Sequence, residues 1–198
     1  MSETATIGLR VHSGWAAAVA ICGPVKAPVV VDRRKLQLVR TFSYTYRQPY
    51  HTAERMELAD ARSFICGVQS DAKRLAKLAL RSLQEDLAEG DVKIAGAALL
   101  LASGRELPAF EKILASHALI HTADGELFRD SLRAACAACE LRLECVREKE
   151  LFSAASSVLK IQTATLKQRI AALGKELGPP WSQDEKFAAL AAWISLAR

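Results

Sequence analysis

The sequence predicts an α/β fold in which a three-stranded antiparallel meander and two parallel strands form a sheet flanked by helices. Three observations predict it. Residues 6–39 contain short, β-rich apolar runs separated by glycine and proline turns. A long stretch with apolar side chains at helical spacing follows. Residues 92–101 then form a nearly all-apolar run, which is typical of a strand buried on both faces of a parallel sheet.

The first three predicted strands follow one another closely in the chain. Residues 6–11 and 15–22 are separated by a short turn, in which Gly14 supplies the backbone freedom of a tight hairpin. Valine and leucine in residues 29–39 predict a third strand with a bend near Asp32. Short connections favour antiparallel pairing, so these three runs predict a meander.

Helices are predicted for most of the rest of the chain. Residues 41–51 are polar and aromatic and include a proline, so we expect no helix there, whereas residues 53–88 have the apolar spacing of one long helix. Two helices, over residues 108–120 and 126–139, should follow the buried strand, with Asp124 capping the second. Residues 141–146 predict a strand, for which continuation of the preceding helix is the alternative. Residues 150–177 and 182–197 predict the last two helices.

The composition is that of a folded protein kept inside the cell. Hydrophobic residues make up 51% of the chain and charged residues 25%, which excludes the composition of a disordered protein. The longest apolar runs, residues 15–22 and 94–102, are far shorter than the roughly 20 residues of a membrane-spanning helix. An odd number of cysteines in apolar surroundings favours reduced thiols. We therefore expect one cytoplasmic domain over residues 1–198.

Two short motifs stand near the ends of the chain. Residues 8–16 read GLRVHSGWA, a glycine followed shortly by a second glycine and an apolar strand, and residues 184–191 read DEKFAALA. Together with the order of the predicted elements, they resemble the ribonuclease H-like fold, and within it the Holliday-junction resolvase branch. The resemblance implies that fold for nearly the whole chain. Nucleases of this fold hold two divalent ions between carboxylates of the first strand, the central strand and the last helix.

The carboxylates that this resemblance implies are missing from the expected positions. Arg10 stands at the first-strand position, Ser103 follows the central strand, and Ala188 falls on the last-helix position. A guanidinium carries only hydrogen-bond donors and cannot ligate a cation. We therefore expect a degenerate active site without nuclease activity. The alternative is a rearranged site that uses Asp184 and Glu106.

Two groups of residues are candidates for binding. The first is a polar cleft, expected at the strand ends and suited to an anion or a phosphate, made of Arg10, His12, Ser13, Ser103, Arg105 and Glu106. The second mixes basic and aromatic side chains as single-stranded nucleic-acid grooves do. Its members are Arg33, Arg34, Lys35, Arg40, Tyr44, Tyr46 and Arg47. The alternative for this group is a bent edge strand whose aromatic residues cover the core.

A metal site is a further candidate. His117 and His121 are four positions apart on one helix face, and Asp124 follows one turn later, so the three side chains could hold Zn²⁺ or another divalent metal. Packing of one histidine, with Asp124 as a cap, is the alternative. Cys136 and Cys139 form a Cys-x-x-Cys pair without a second pair, and core packing explains them better.

Three functional hypotheses follow from these patterns. The first is a non-catalytic ribonuclease H-like domain that binds nucleic acid or a protein partner. The second is a metal-dependent enzyme that uses His117, His121 and Asp124, and no cofactor other than such a divalent metal is expected. The third is a structural subunit whose helices over residues 150–177 and 182–197 pair in a homodimer. No membrane partner is expected.

Overall fold

The computed structural model describes residues 3–102, 106–175 and 177–198. The strands are β1 (Glu3–His12), β2 (Trp15–Cys22), β3 (Val29–Gln37), β4 (Val92–Leu101) and β5 (Arg142–Arg147). The helices are α1 (Tyr44–Arg47), α2 (Pro49–Ala53), α3 (Leu58–Ala88), α4 (Phe110–Leu114), α5 (His117–Ala138), α6 (Leu151–Leu159), α7 (Thr163–Leu173) and α8 (Gln183–Leu196). A 3-10 turn at Glu148–Glu150 follows β5. Within the described ranges, no helix combines the length and the apolar character needed to cross a membrane.

The five strands form one mixed sheet in the order β3-β2-β1-β4-β5. β1, β2 and β3 pair antiparallel, whereas β4 runs parallel to β1 and β5 runs parallel to β4. The predicted meander with two further parallel strands, flanked by helices, is confirmed. The fifth segment is a strand and not a continued helix, because residues 142–147 pair with residues 96–101 of β4.

Two hydrophobic clusters cover the two faces of the sheet. α3 and α5 enclose one cluster with Ile7 and Leu9 of β1, and α8 encloses the other with Val19 and Ala98. Successive side chains of a strand point to opposite faces. Ile7 and Leu9 face α3 and α5, so the alternate residues of β1, Gly8 and Arg10, face α8.

Three helical segments differ from the sequence-based expectations. Two short helices, α1 and α2, form in the segment for which no helix was expected, and α2 begins with Pro49, a position where the missing N–H costs nothing. α5 continues through residues 122–125, so Asp124 is not a cap but a buried residue in the middle of the helix. The predicted helix over residues 150–177 is divided where Lys160 adopts a left-handed backbone conformation with a φ of 56°.

The last helix is buried on all sides. Ser182 and Glu185 form a capping box at its start, and residues 188–195 are all buried. The indole Nε1 of Trp193 donates a hydrogen bond to the carbonyl of Val25 at 2.8 Å. Because most of α8 is buried within the chain, it leaves little surface for contact with a second copy. The homodimer stays a prediction that now depends on α6 and α7.

The five free thiols differ in burial, which predicts different reactivities. Cys66 and Cys145 are exposed, whereas burial raises the pKa of Cys22 to about 11 and that of Cys136 to about 12. Only the thiolate reacts with disulfide reagents, so we expect the two exposed thiols to react roughly 10³-fold faster than the two buried ones. Timed thiol counting checks this. A single uniform rate in the folded protein would contradict it, and all five should react together after denaturation.

Candidate functional site

The carboxyl ends of β1, β4 and β5 lie at one edge of the sheet because these strands are parallel. An open cleft of about 710 Å³ lies at this edge. It is lined by Val11, Leu100, Leu101, Ala102, Arg129, Glu148, Lys149 and Phe187. Open α/β sheets commonly bind ligands beyond the carboxyl ends of their strands, so this edge is the candidate site.

Arg10 joins two carboxylates at this edge. Its Nε and Nη2 donate to the two carboxylate oxygens of Glu148 at 3.0 and 2.7 Å, and its Nη1 donates to Asp184. The guanidinium also lies 5.2 Å from the ring centroid of Phe187. Hydrogen bonding to Glu148 raises the pKa of Arg10 above its usual value. We call Arg10, Glu148 and Asp184 the Arg10 cluster.

The approach of α8 to β1 makes the Arg10 cluster possible. Asp184 stands in the first turn of α8, and Gly8 on β1 faces Ala188 one turn further along the helix. A Cβ atom at residue 8 would lie only 1.7 Å from the carbonyl oxygen of Ala188. The missing side chain of Gly8 therefore lets the backbone of α8 lie against the strand.

His12 connects the Arg10 cluster to the β1–β2 turn. Its Nε2 lies 2.9 Å from Oδ1 of Asp184, the same oxygen that accepts from Arg10. On its other side the imidazole stacks on Trp15, with ring centroids 4.4 Å apart and planes inclined by 12°. The β1–β2 hairpin thus presents a cation, an imidazole and an indole in a row.

The predicted polar cleft is only partly assembled. Arg10 and His12 meet through Asp184, and His12 and Ser13 line a neighbouring cavity of about 190 Å³. Glu106 is exposed and is not among the cleft-lining residues. Ser103 and Arg105 lie outside the described residues. Two residues with direct roles in this region were not predicted, namely Glu148 and Trp15.

Most of the predicted basic group is held by other parts of the chain. Arg33 donates to the backbone carbonyls of residues 177–180. Arg34 forms ion pairs with Asp32 and Asp86, and Arg40 pairs with Asp71. Tyr46 packs on Phe64 and is partly buried, as the core-covering alternative predicted. These residues are poorly placed to neutralise a phosphate.

The two remaining cations of the group lie on aromatic rings. Lys35 Nζ is 4.1 Å from the ring centroid of Trp15 and 4.8 Å from that of Phe42. The guanidinium of Arg47 lies 4.4 Å from the centroid of the same Phe42 ring, and its Nε donates to the carbonyl of Ser13. Among the described residues, neither cation forms an ion pair with a carboxylate. We call Trp15, Lys35, Phe42 and Arg47 the aromatic–cation surface, and Tyr44, two residues after Phe42 in the chain, is exposed.

The structure brings His117 and His121 together and adds a third histidine. Their Nε2 atoms are 3.1 Å apart, and His51 of α2 lies against both rings. Asp124, the third predicted ligand, is hydrogen-bonded to α2 instead. Its Oδ1 accepts the backbone N–H of Tyr50 at 2.7 Å and its Oδ2 is hydrogen-bonded to Nδ1 of His51. Burial raises the pKa of Asp124, an effect that the hydrogen bond from His51 opposes.

Comparison with known proteins gives a fold but no family. No protein-family model matches the chain, and no curated protein does either. Among solved structures, it is similar to T. thermophilus RuvC in complex with a Holliday junction substrate, with a TM-score of 0.51 and 7% identity over 98% of this chain and 93% of that chain.

Two further structures are similar to the chain at lower scores. Another Thermus thermophilus RuvC structure has a TM-score of 0.48 and 8% identity over 98% of this chain and 93% of that one. An Aquifex aeolicus member of the Ppx/GppA family has a TM-score of 0.35 and 11% identity over 80% of this chain and 40% of that chain. The likeness to the RuvC complex, together with the strand order, shows that this chain has a ribonuclease H-like fold.

Proposed function

We propose that this chain is a non-catalytic ribonuclease H-like domain that binds nucleic acid through the aromatic–cation surface. The position of that surface carries the proposal. It lies beside the candidate site and is joined to the Arg10 cluster by the stacked rings of His12 and Trp15. The RuvC of similar fold is in complex with a Holliday junction substrate, which supports a nucleic-acid ligand for this chain.

The chemistry of the surface suits a polynucleotide. Lys35 and Arg47 are not neutralised by carboxylates of the described chain, so each is available to a phosphate. Phe42 of this surface is 45% exposed, Tyr44 two residues further along the chain is 62% exposed, and exposed aromatic rings stack on bases of any sequence. The combination favours binding that depends little on sequence.

The Arg10 cluster supports binding without cleavage. A two-ion nuclease site needs several carboxylate oxygens directed at the ions. Among the residues that the structure describes at this edge, Glu148 and Asp184 are hydrogen-bonded to one guanidinium, whose positive charge repels a cation. The described oxygen ligands at this edge therefore do not fit the two metal ions that the nucleases hold. They support no hydrolytic step.

Fluorescence anisotropy of labelled single-stranded DNA, duplex and four-way junction tests the proposal. We expect binding that weakens steeply between roughly 50 and 200 mM salt, because phosphate contacts release counterions. A variant with Lys35→Ala and Arg47→Ala should lose affinity about tenfold and lower the salt slope by about two. Incubation of the bound DNA with Mg²⁺ should leave it uncut.

Arg62→Ala is the matched control for this experiment. Arg62 also lies on an aromatic ring, 4.8 Å from the centroid of Phe110, but it is paired with Glu111. We expect its removal to leave DNA affinity unchanged. Equal losses in the control and in the double variant would contradict the assignment of the surface. Absence of binding to all three DNAs at the lowest salt, or Mg²⁺-dependent cleavage abolished by Glu148→Gln, would overturn the proposal itself.

A further inference from the structure

We infer that His51, His117 and His121 form a binding site for a transition-metal ion of the Zn²⁺ class. Three of the four histidines of the chain belong to this cluster. One ligand atom from each lies within 4.8 Å of the other two. None of the three side chains belongs to the Arg10 cluster or to the aromatic–cation surface, so the inference is independent of the proposed function.

The spacing of the nitrogen atoms suits tetrahedral coordination. With Zn–N bonds of about 2.0–2.1 Å, two ligands of a tetrahedral ion are about 3.3 Å apart. The Nε2 atoms of His117 and His121 are 3.1 Å apart, which is already close to that value. The rings meet edge to face, with interplanar angles of 69° to 88°, so they do not stack and their in-plane lone pairs can be directed to one point.

Asp124 prepares His51 for this role. The carboxylate holds Nδ1 of His51, and its other oxygen accepts the N–H of Tyr50, so both oxygens are occupied within the protein. The side chains of His51 and Asp124 are only 8% and 6% exposed. A carboxylate on one ring nitrogen of a metal-binding histidine fixes the tautomer and leaves the other nitrogen as ligand. Asp124 is therefore a positioning residue, and His51 takes the third ligand place, for which the sequence had suggested Asp124.

The site is open on its solvent side. His117 and His121 are exposed, and both belong to the first turns of α5, whereas His51 lies in α2 and is shielded from solvent. Three imidazoles leave the fourth tetrahedral position to water or to a small ligand. A bound ion would also connect α2 with the start of α5. We therefore expect the metal to increase the thermal stability of the protein.

Titration calorimetry with Zn²⁺ at neutral pH tests the site. The full chain should carry Cys66→Ser and Cys145→Ser, because these two thiols are exposed and compete for zinc. We expect one ion per chain and, at a hundredfold excess of metal over its Kd, a Tm higher by roughly 5–10 °C. His117→Ala and His121→Ala should each weaken binding at least about 100-fold. Asp124→Asn should weaken it about 10- to 100-fold.

The fourth histidine provides the control. His12→Ala removes an imidazole outside the cluster and should leave zinc affinity and the Tm increase unchanged. His117 and His121 are exposed, so their alanine variants should fold, which circular dichroism without metal verifies. Zinc binding that is equally strong in His117→Ala and His121→Ala, binding lost in His12→Ala, or no stoichiometric binding in the parent chain would overturn the inference.

Discussion

Gly8→Ala should destabilise the protein by about 4 kcal/mol, which corresponds to a Tm lower by roughly 10 °C. The added Cβ would lie 1.7 Å from the carbonyl oxygen of Ala188 and 2.9 Å from the backbone nitrogen of Ala192. These are backbone atoms, so no side-chain rotation relieves the overlap and α8 must move away from β1. The shift would disturb the buried hydrogen bond from Thr6 to the carbonyl of Ala192 as well. Thermal and urea unfolding measure the effect.

Gly67→Ala is the matched control for that experiment. Gly67 is an exposed residue inside α3, and an added Cβ would meet no atom within 4 Å. Alanine is favoured over glycine in a helix, so this variant should gain about 0.5–1 kcal/mol. Opposite signs for the two alanine substitutions are the expected result. A Gly8→Ala variant as stable as the parent would show that α8 does not lie against β1 as described.

Arg10→Gln should destabilise the protein by about 1–3 kcal/mol, because it leaves Glu148 and Asp184 without their shared cation. The side chain of Arg10 is only 15% exposed, so water replaces few of the lost interactions. The partners are more exposed, at 37% and 22%, and solvent screening keeps the expected loss below that of a fully buried pair. Urea unfolding at two salt concentrations measures the loss.

A triple variant separates charge from packing. With Arg10→Gln, Glu148→Gln and Asp184→Asn together, no carboxylate remains unpaired in the Arg10 cluster, and we expect at least half of the lost stability to return. If the triple variant were less stable than Arg10→Gln alone, the loss would come from packing of the arginine stem on Phe187 and not from its charge. Stability unchanged by Arg10→Gln would contradict the Arg10 cluster altogether.

Much of the sheet could be predicted from local pattern. The apolar runs, the Gly14 turn and the all-apolar β4 each depend on residues close together in the chain, and their predicted bounds agree closely with the structure. The helical errors have physical causes. α5 continues across Gly125 because its flanking apolar residues are buried against the sheet and α3, and burial outweighs the weak helix preference of glycine.

The candidate site was predictable only in part. The sequence placed Arg10 in the first strand, at the position where the resemblance implies a carboxylate. The pairing of Arg10 with Glu148 was not predicted. The position of Glu148 directly after the parallel strand β5 was a usable signal, because it places this carboxylate at the same edge of the sheet. His51 was missed as a partner of His117 because residues 41–51 showed no helical pattern, and the two histidines meet only through the packing of α2 on α5.

The sequence by itself determined the class of fold, the meander and the absence of an acidic residue at position 10, because strand patterns and residue identity are local properties. The tertiary structure alone decided which charges meet. Contacts between residues far apart in the chain, such as Arg10 with Asp184 or Arg34 with Asp86, depend on how elements pack. For that reason only the folded chain distinguishes Arg34 and Arg40, which pair with carboxylates, from Lys35 and Arg47. The proposed function depends on Lys35 and Arg47.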